Sequence, residues 1–249
     1  MERRVWDWPA RVGAALLGLL AGAGFLAAWA PAPPATPRNA VDFVQLVPVD
    51  APPPAQTAPV VRQVVSVVAT GGRSTAWLTL WERRSATAPW RRDGAPIWVR
   101  VGAAGVSRHP REGVPATPLG SFALTHAYGR DSNAEQLLTR LPYRQLRPGD
   151  GWNTAAGAGY NRLGHTGELW AARNTWARAA VLIDYNVDHP RAGAGSGFFV
   201  HVAAGGPTSG CVALPRAAML HLLNWLDPAA RPRIVIELGT GPTTAPSAP

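Results

Sequence analysis

The chain contains a single cysteine, Cys211, and His201 stands ten positions before it, at the end of the apolar run Phe198-Phe199-Val200. A thiol attacks only as its thiolate. With an ordinary pKa near ~8.5 it is only a few per cent ionised at neutral pH, so an imidazole within hydrogen-bond reach is the usual activator. Strand residues before His201 would fix its backbone, while Gly205, Gly206 and Gly210 permit the turns that bring Cys211 back towards it. Gly210 also leaves the N–H groups around Cys211 uncovered, as an oxyanion hole for a tetrahedral intermediate requires. Taken alone, the two residues also fit a blander reading, a small buried thiol and a structural histidine.

Elements that hold such a pair in place are legible along the chain. Its 249 residues are 47% hydrophobic and 16% charged, which suits one globular domain with tails, and 25 prolines with 26 glycines call for many turns. Residues 64–68, 75–81, 97–101, 121–124, 179–185, 197–202 and 233–238 are predicted strands, which makes the domain mainly β and β-sandwich-like. A few short helices accompany them. Ser132-Asn133-Ala134-Glu135 has the form of a capping box, and Pro215 opens a helix whose Met219, Leu222, Leu223 and Leu226 share one face before Pro228 ends it. Residues 149–175 show little periodicity and read as a long functional loop.

The folded domain is assigned to residues 60–238. Before it, Arg3, Arg4 and Arg11 precede an uncharged apolar stretch, so residues 1–30 read as an export segment. The preferred form is an uncleaved anchor crossing the cytoplasmic membrane through residues 12–30, with the arginines inside. The alternative is a signal peptide cut after Ala28-Trp29-Ala30, a site that Pro31 disfavours. Residues 31–59 form a Pro/Ala-rich spacer with an apolar patch at 41–47 that could add an edge strand, and 239–249 read as a disordered tail. Either way the expected location is the cell envelope, outside the cytoplasm.

The charge pattern excludes more than it suggests. All 24 basic residues are arginine and the net charge is +9, but the arginines are scattered, so no nucleic-acid partner is expected. Gly193-Ala194-Gly195-Ser196-Gly197 precedes a strand where a dinucleotide loop needs a helix. His201, Cys211 and His221 match no zinc spacing, so neither a metal nor another cofactor is expected.

The segment Thr208-Ser209-Gly210-Cys211-Val212-Ala213-Leu214 resembles the active-site stretch of the L,D-transpeptidase (YkuD-type) family, in a branch with a short His-to-Cys loop. Thr117-Pro118-Leu119-Gly120-Ser121-Phe122 is similar to that family's T-P-x-G-x-F turn. Tyr160-Asn161-Arg162, Asp184-Tyr185-Asn186 and Gly195-Ser196-Gly197-Phe198-Phe199 also fall where this branch has similar sequences. The resemblance implies a mostly β catalytic domain acting on peptidoglycan stem peptides. Cys211 would be the nucleophile and His201 its base, oriented by the carbonyl of Val202 or Ala203. Thr208, Ser209 and Gly210 would form the oxyanion loop, with Gly210 and Cys211 N–H groups as donors, and Arg162, Tyr185 and Asn186 are the candidates to hold substrate.

Two positions depart from the pattern: Ser209 replaces a histidine and Ala213 an arginine that many members carry. The implied reaction is acyl transfer from a stem tetrapeptide to an amine, or to water as an L,D-carboxypeptidase. The alternatives are a thiol endopeptidase acting on wall cross-links or wall-linked proteins, and a non-catalytic envelope module that binds wall peptides.

Overall fold

The computed structural model describes residues 60–133, 137–165 and 178–246. The predicted export segment, the spacer with its patch at 41–47, residues 134–136 after the start of the capping box, residues 166–177 and the last three residues lie outside the described residues. Among the described residues no helix is long and apolar enough to cross a membrane.

In chain order the strands are β1 (Gln63–Ala69), β2 (Thr75–Glu82), β3 (Arg91–Arg100), β4 (Val106–Ser107), β5 (Thr117–Pro118), β6 (Gly120–Ala123), β7 (Ala127–Gly129), β8 (Tyr143–Gln145), β9 (Asp150–Asn153), β10 (Arg162–His165), β11 (Ala180–Leu182), β12 (Phe199–Val202), β13 (Val212–Leu214) and β14 (Arg233–Leu238). Helix α1 (Arg216–Trp225) lies between β13 and β14. Ten strands form one sheet in the order β6-β14-β1-β2-β3-β13-β12-β11-β7-β8. The expected mainly β domain is therefore present as one large sheet with two small two-stranded sheets, β9–β10 and β4–β5, beside it.

That sheet has to curl. Only residues 124–126 separate β6, at one end of the order, from β7, next to last at the other, and three extended residues span at most about 10 Å. The ends accordingly meet: Asp184 N–H donates to Ala123 O at 3.1 Å, and Leu182 N–H to His126 O at 2.9 Å. The curled inner face is filled by Val65, Val67, Leu78, Leu80, Ile234 and Ile236, and α1 adds Met219, Leu222 and Leu223. Alternation along each strand selects these residues, since successive side chains point to opposite faces.

Several boundaries differ from expectation for local reasons. β14 begins and ends where predicted. β11 stops at Leu182, because the chain leaves the ladder before Asn186, which is left-handed with φ 55°. Residues 150–165, expected to be irregular, contain the antiparallel hairpin β9–β10, hidden in the sequence by Gly151 and Gly164 within its short strands. Gly239 N–H donates to Ala69 O at 3.0 Å and the Thr243 hydroxyl meets that of Ser66, so the chain after β14 turns back against β1.

The turn after β3 is tightly packed. A Cβ on Gly102 would lie 2.3 Å from Pro115 O and 2.9 Å from Ala116 Cα, both backbone atoms with little freedom to move. Gly102→Ala is expected to lower stability by about 2 kcal/mol or more, the usual cost of overpacking. Urea unfolding measures it, and an unchanged midpoint would refute this account of the turn.

Candidate active site

Packing decides where the histidine points. Along β12, Val200 and Val202 face the core, so Phe199 and His201 face outward. Each flanking strand offers the imidazole a small neighbour: His201 pairs with Ala180 on β11 and with Ala213 on β13. Val212 and Leu214 bury into the same core and anchor β13 directly after Cys211. Because β12 and β13 are parallel, the intervening chain must return to the start of β13, which is the work of residues 203–210.

The return loop is held by hydroxyls. Thr208 Oγ1 donates to Cys211 O at 2.7 Å and accepts from Gly210 N–H at 3.1 Å. Thr117 Oγ1 accepts from Gly102 N–H at 2.9 Å and reaches the same Cys211 carbonyl at 3.5 Å. The loop is also tied to the chain after β3, through Thr208 N–H to Val101 O at 3.0 Å and Ala103 N–H to Thr208 O at 2.9 Å. Gly210 is required here: its φ is 134°, and a Cβ would meet Phe198 at 2.6 Å.

His201 is almost fully buried, with its Nδ1 2.8 Å from Val202 O. A carbonyl only accepts, so Nδ1 carries the proton and Nε2 is the basic nitrogen. Of the two carbonyls considered as orienters, Val202's makes this contact, while Ala203 is exposed and its N–H bonds Leu214 O. Burial holds the imidazole below its ordinary pKa, and the Val202 carbonyl offsets this in part. Burial also pushes the Cys211 thiol up to about 11, opposed by the Phe199 backbone. The resting pair is therefore a neutral imidazole and a neutral thiol, and Cys211 Sγ–H points to Gly197 O at 3.5 Å.

His201 and Cys211 line one cleft of about 410 Å³, together with Trp152, Phe199, Thr208 and Ser209. Trp152 and Phe199 pack edge to face at 5.0 Å and give the cleft an apolar wall. A thiol and a tautomer-fixed base thus share a cavity with an apolar wall, an arrangement suited to acyl transfer through a thioester. The sequence from residue 68 to 236 matches the family model of the L,D-transpeptidase catalytic domain, YkuD. The chain belongs to that family. No curated protein and no solved structure matches it.

Other residues suggested by the family resemblance stand in different places. Of the two amides considered as oxyanion donors, Gly210's is taken by Thr208, and Cys211's has no acceptor among the described residues. Arg162 is exposed on β10 and does not line the cleft; with Arg144 it opposes the rise in the Tyr128 pKa that burial and the Asp184 charge cause. Tyr185 packs against Phe122 and Phe198, with its hydroxyl donating to Ala194 O at 2.9 Å. Asn186 braces the loop through Arg191 and Gly195. Both hold the scaffold outside the cleft lining, because their side chains are spent on backbone partners.

His221 lies apart on α1, 2.6 Å from Asp93, and among the described residues no group of acidic, His and Cys side chains is placed to hold a metal ion. A larger cavity of about 550 Å³, near Arg84, Arg91 and His221, shares no lining residue with the cleft.

Trp152, the Thr117 hydroxyl and the Gly197 carbonyl are site components that the sequence did not single out. The Thr117 motif was visible, but its bond to the Cys211 carbonyl depends on folding.

A neutral thiol has a direct signature. Alkylation of Cys211 by iodoacetamide should be slow at pH 7 and still rising at pH 10, with a midpoint near 11. A plateau already reached below pH 8 would mean a thiolate–imidazolium pair instead.

Proposed function

We propose that this chain is a peptidoglycan L,D-transpeptidase that works through an acyl-enzyme on Cys211. The observation that carries the reading is the pairing, in one cleft, of the only thiol with an imidazole whose Nδ1–H is committed to Val202 O. Sγ attacks the carbonyl carbon between an L-centre and the D-residue that follows, while His201 Nε2 takes the thiol proton. The Cys211 N–H, which lacks another acceptor among the described residues, is the available donor to the oxyanion. Collapse breaks the C–N bond, the imidazolium protonates the departing D-amino acid, and a thioester remains. An amine from a neighbouring stem then attacks, forming the new amide and returning the thiol; water in its place gives the carboxypeptidase outcome.

Neutral resting groups suit this sequence. A depressed imidazole pKa extends to lower pH the range in which the base is unprotonated. The thiol transfers its proton only when a carbonyl is in place to consume the thiolate. In this reading residues 1–30 bring the domain outside the cytoplasmic membrane, and residues 31–59 hold it off that surface towards the wall.

Intact mass spectrometry of the full chain with a stem tetrapeptide tests the proposal. The expected product is a covalent adduct on Cys211 with loss of the terminal D-amino acid. Cys211→Ala should abolish it without unfolding the domain, and His201→Ala should slow it by roughly 10²–10⁴-fold. Adduct formation undiminished in Cys211→Ala would end the proposal, and cleavage of a cross-linked dimer in preference to the tetrapeptide would replace it with the endopeptidase.

A further inference from the structure

We infer that Asn161 is a positioning residue for the Cys211 nucleophile and acts through the Gly197 peptide; the inference rests on the reading of Cys211 as the nucleophile. Asn161 is fully buried and left-handed, with φ 58°. Its carboxamide is saturated. Oδ1 accepts from Trp152 Nε1–H at 2.8 Å and from Gly197 N–H at 2.9 Å, while Nδ2 donates to Tyr185 O at 3.2 Å and Asn186 O at 2.6 Å. An amide has two acceptor sites and two N–H donors, so every one of them is used.

Two of these bonds lead into the cleft. Trp152 is the apolar wall, and Gly197 presents the carbonyl that receives Cys211 Sγ–H. Gly197 is itself left-handed, φ 66°, and a Cβ there would lie 3.1 Å from the Trp152 ring, so peptide and indole are packed as one unit beneath a single carboxamide. The other two bonds fix Asn161 to the turn after β11. One side chain therefore ties the β9–β10 hairpin, that turn and the strand entry before β12 to the direction in which the thiol points. Aspartate would lack both donors, and glutamine would displace the acceptor by a methylene. His201 is the ionisable side chain that shares the cleft with the thiol.

Asn161→Gly in the full-length chain is the test, because glycine keeps the left-handed backbone and deletes the carboxamide. An S–H···O bond favours the protonated thiol, so its loss should lower the Cys211 alkylation midpoint by about half a unit, which is roughly threefold faster alkylation at pH 8. Acylation by the tetrapeptide should fall at least tenfold in kcat, since the thiol and the cleft wall lose their shared support.

Gln63→Ala is the comparison. It removes another buried amide, bonded to Trp225 O and Asp227 N–H beside α1, and should lower Tm without moving the alkylation midpoint. A midpoint unmoved in Asn161→Gly, or moved equally in Gln63→Ala at the same distance below Tm, overturns the inference. If the midpoint moves as expected but the unmodified chain forms no adduct with any stem peptide, the transpeptidase reading fails and the positioning role stands.

Discussion

Two parallel strands buried on the same core govern the chemistry of this domain. Val200, Val202, Val212 and Leu214 commit β12 and β13 to the interior, and strand alternation then leaves His201 facing outward beside the start of β13, where Cys211 sits. A slip of one residue in β12 would drive the imidazole into the core and a valine into the cleft. The outward direction of His201 is thus secured by apolar packing on the far side of the sheet.

Polar groups refine what the packing establishes. Thr117 and Thr208 converge on the Cys211 carbonyl from different parts of the chain, which fixes the peptide following Cys211 without any charged group. The Val202 carbonyl selects the tautomer of His201. In a cleft walled by Trp152 and Phe199, desolvation opposes charge on both the imidazole and the thiol. The small side chains of Ala180 and Ala213 on either side leave the imidazole room, and with alanine at 213 the strand beside His201 supplies no cation.

Much of this was legible in the sequence, for identifiable reasons. The strands that read correctly are those with sustained β-branched or alternating character, such as β1, β2 and β14, whose burial follows from local composition. The His201–Cys211 loop was visible because glycines and a lone thiol are rare signals together. The β9–β10 hairpin was not, since Asp-Gly-Trp-Asn and Arg-Leu-Gly-His carry no apolar alternation. Asn161 stood out only as part of a motif. Its role depends on four partners brought together by folding, and a polar residue in a glycine-rich stretch resembles surface loop until its burial is seen. Tyr185 and Asn186 illustrate the converse: polar residues in a family motif suggest ligand contact, and in the fold their side chains bond backbone carbonyls.

The curled sheet has a consequence for how copies of this protein behave next to one another. A ten-stranded open sheet would present two long rows of unpaired amides and carbonyls, each a template for a foreign strand. Here one end strand, β6, has only four residues and turns its last carbonyl to Asp184, while the other, β8, has three and lies between Pro142 and Pro148. Arginine at position 144 adds charge along that second rim. Curling therefore does more than enclose a core: with short, blunted strands at both rims, the sheet offers little purchase for edge-to-edge aggregation.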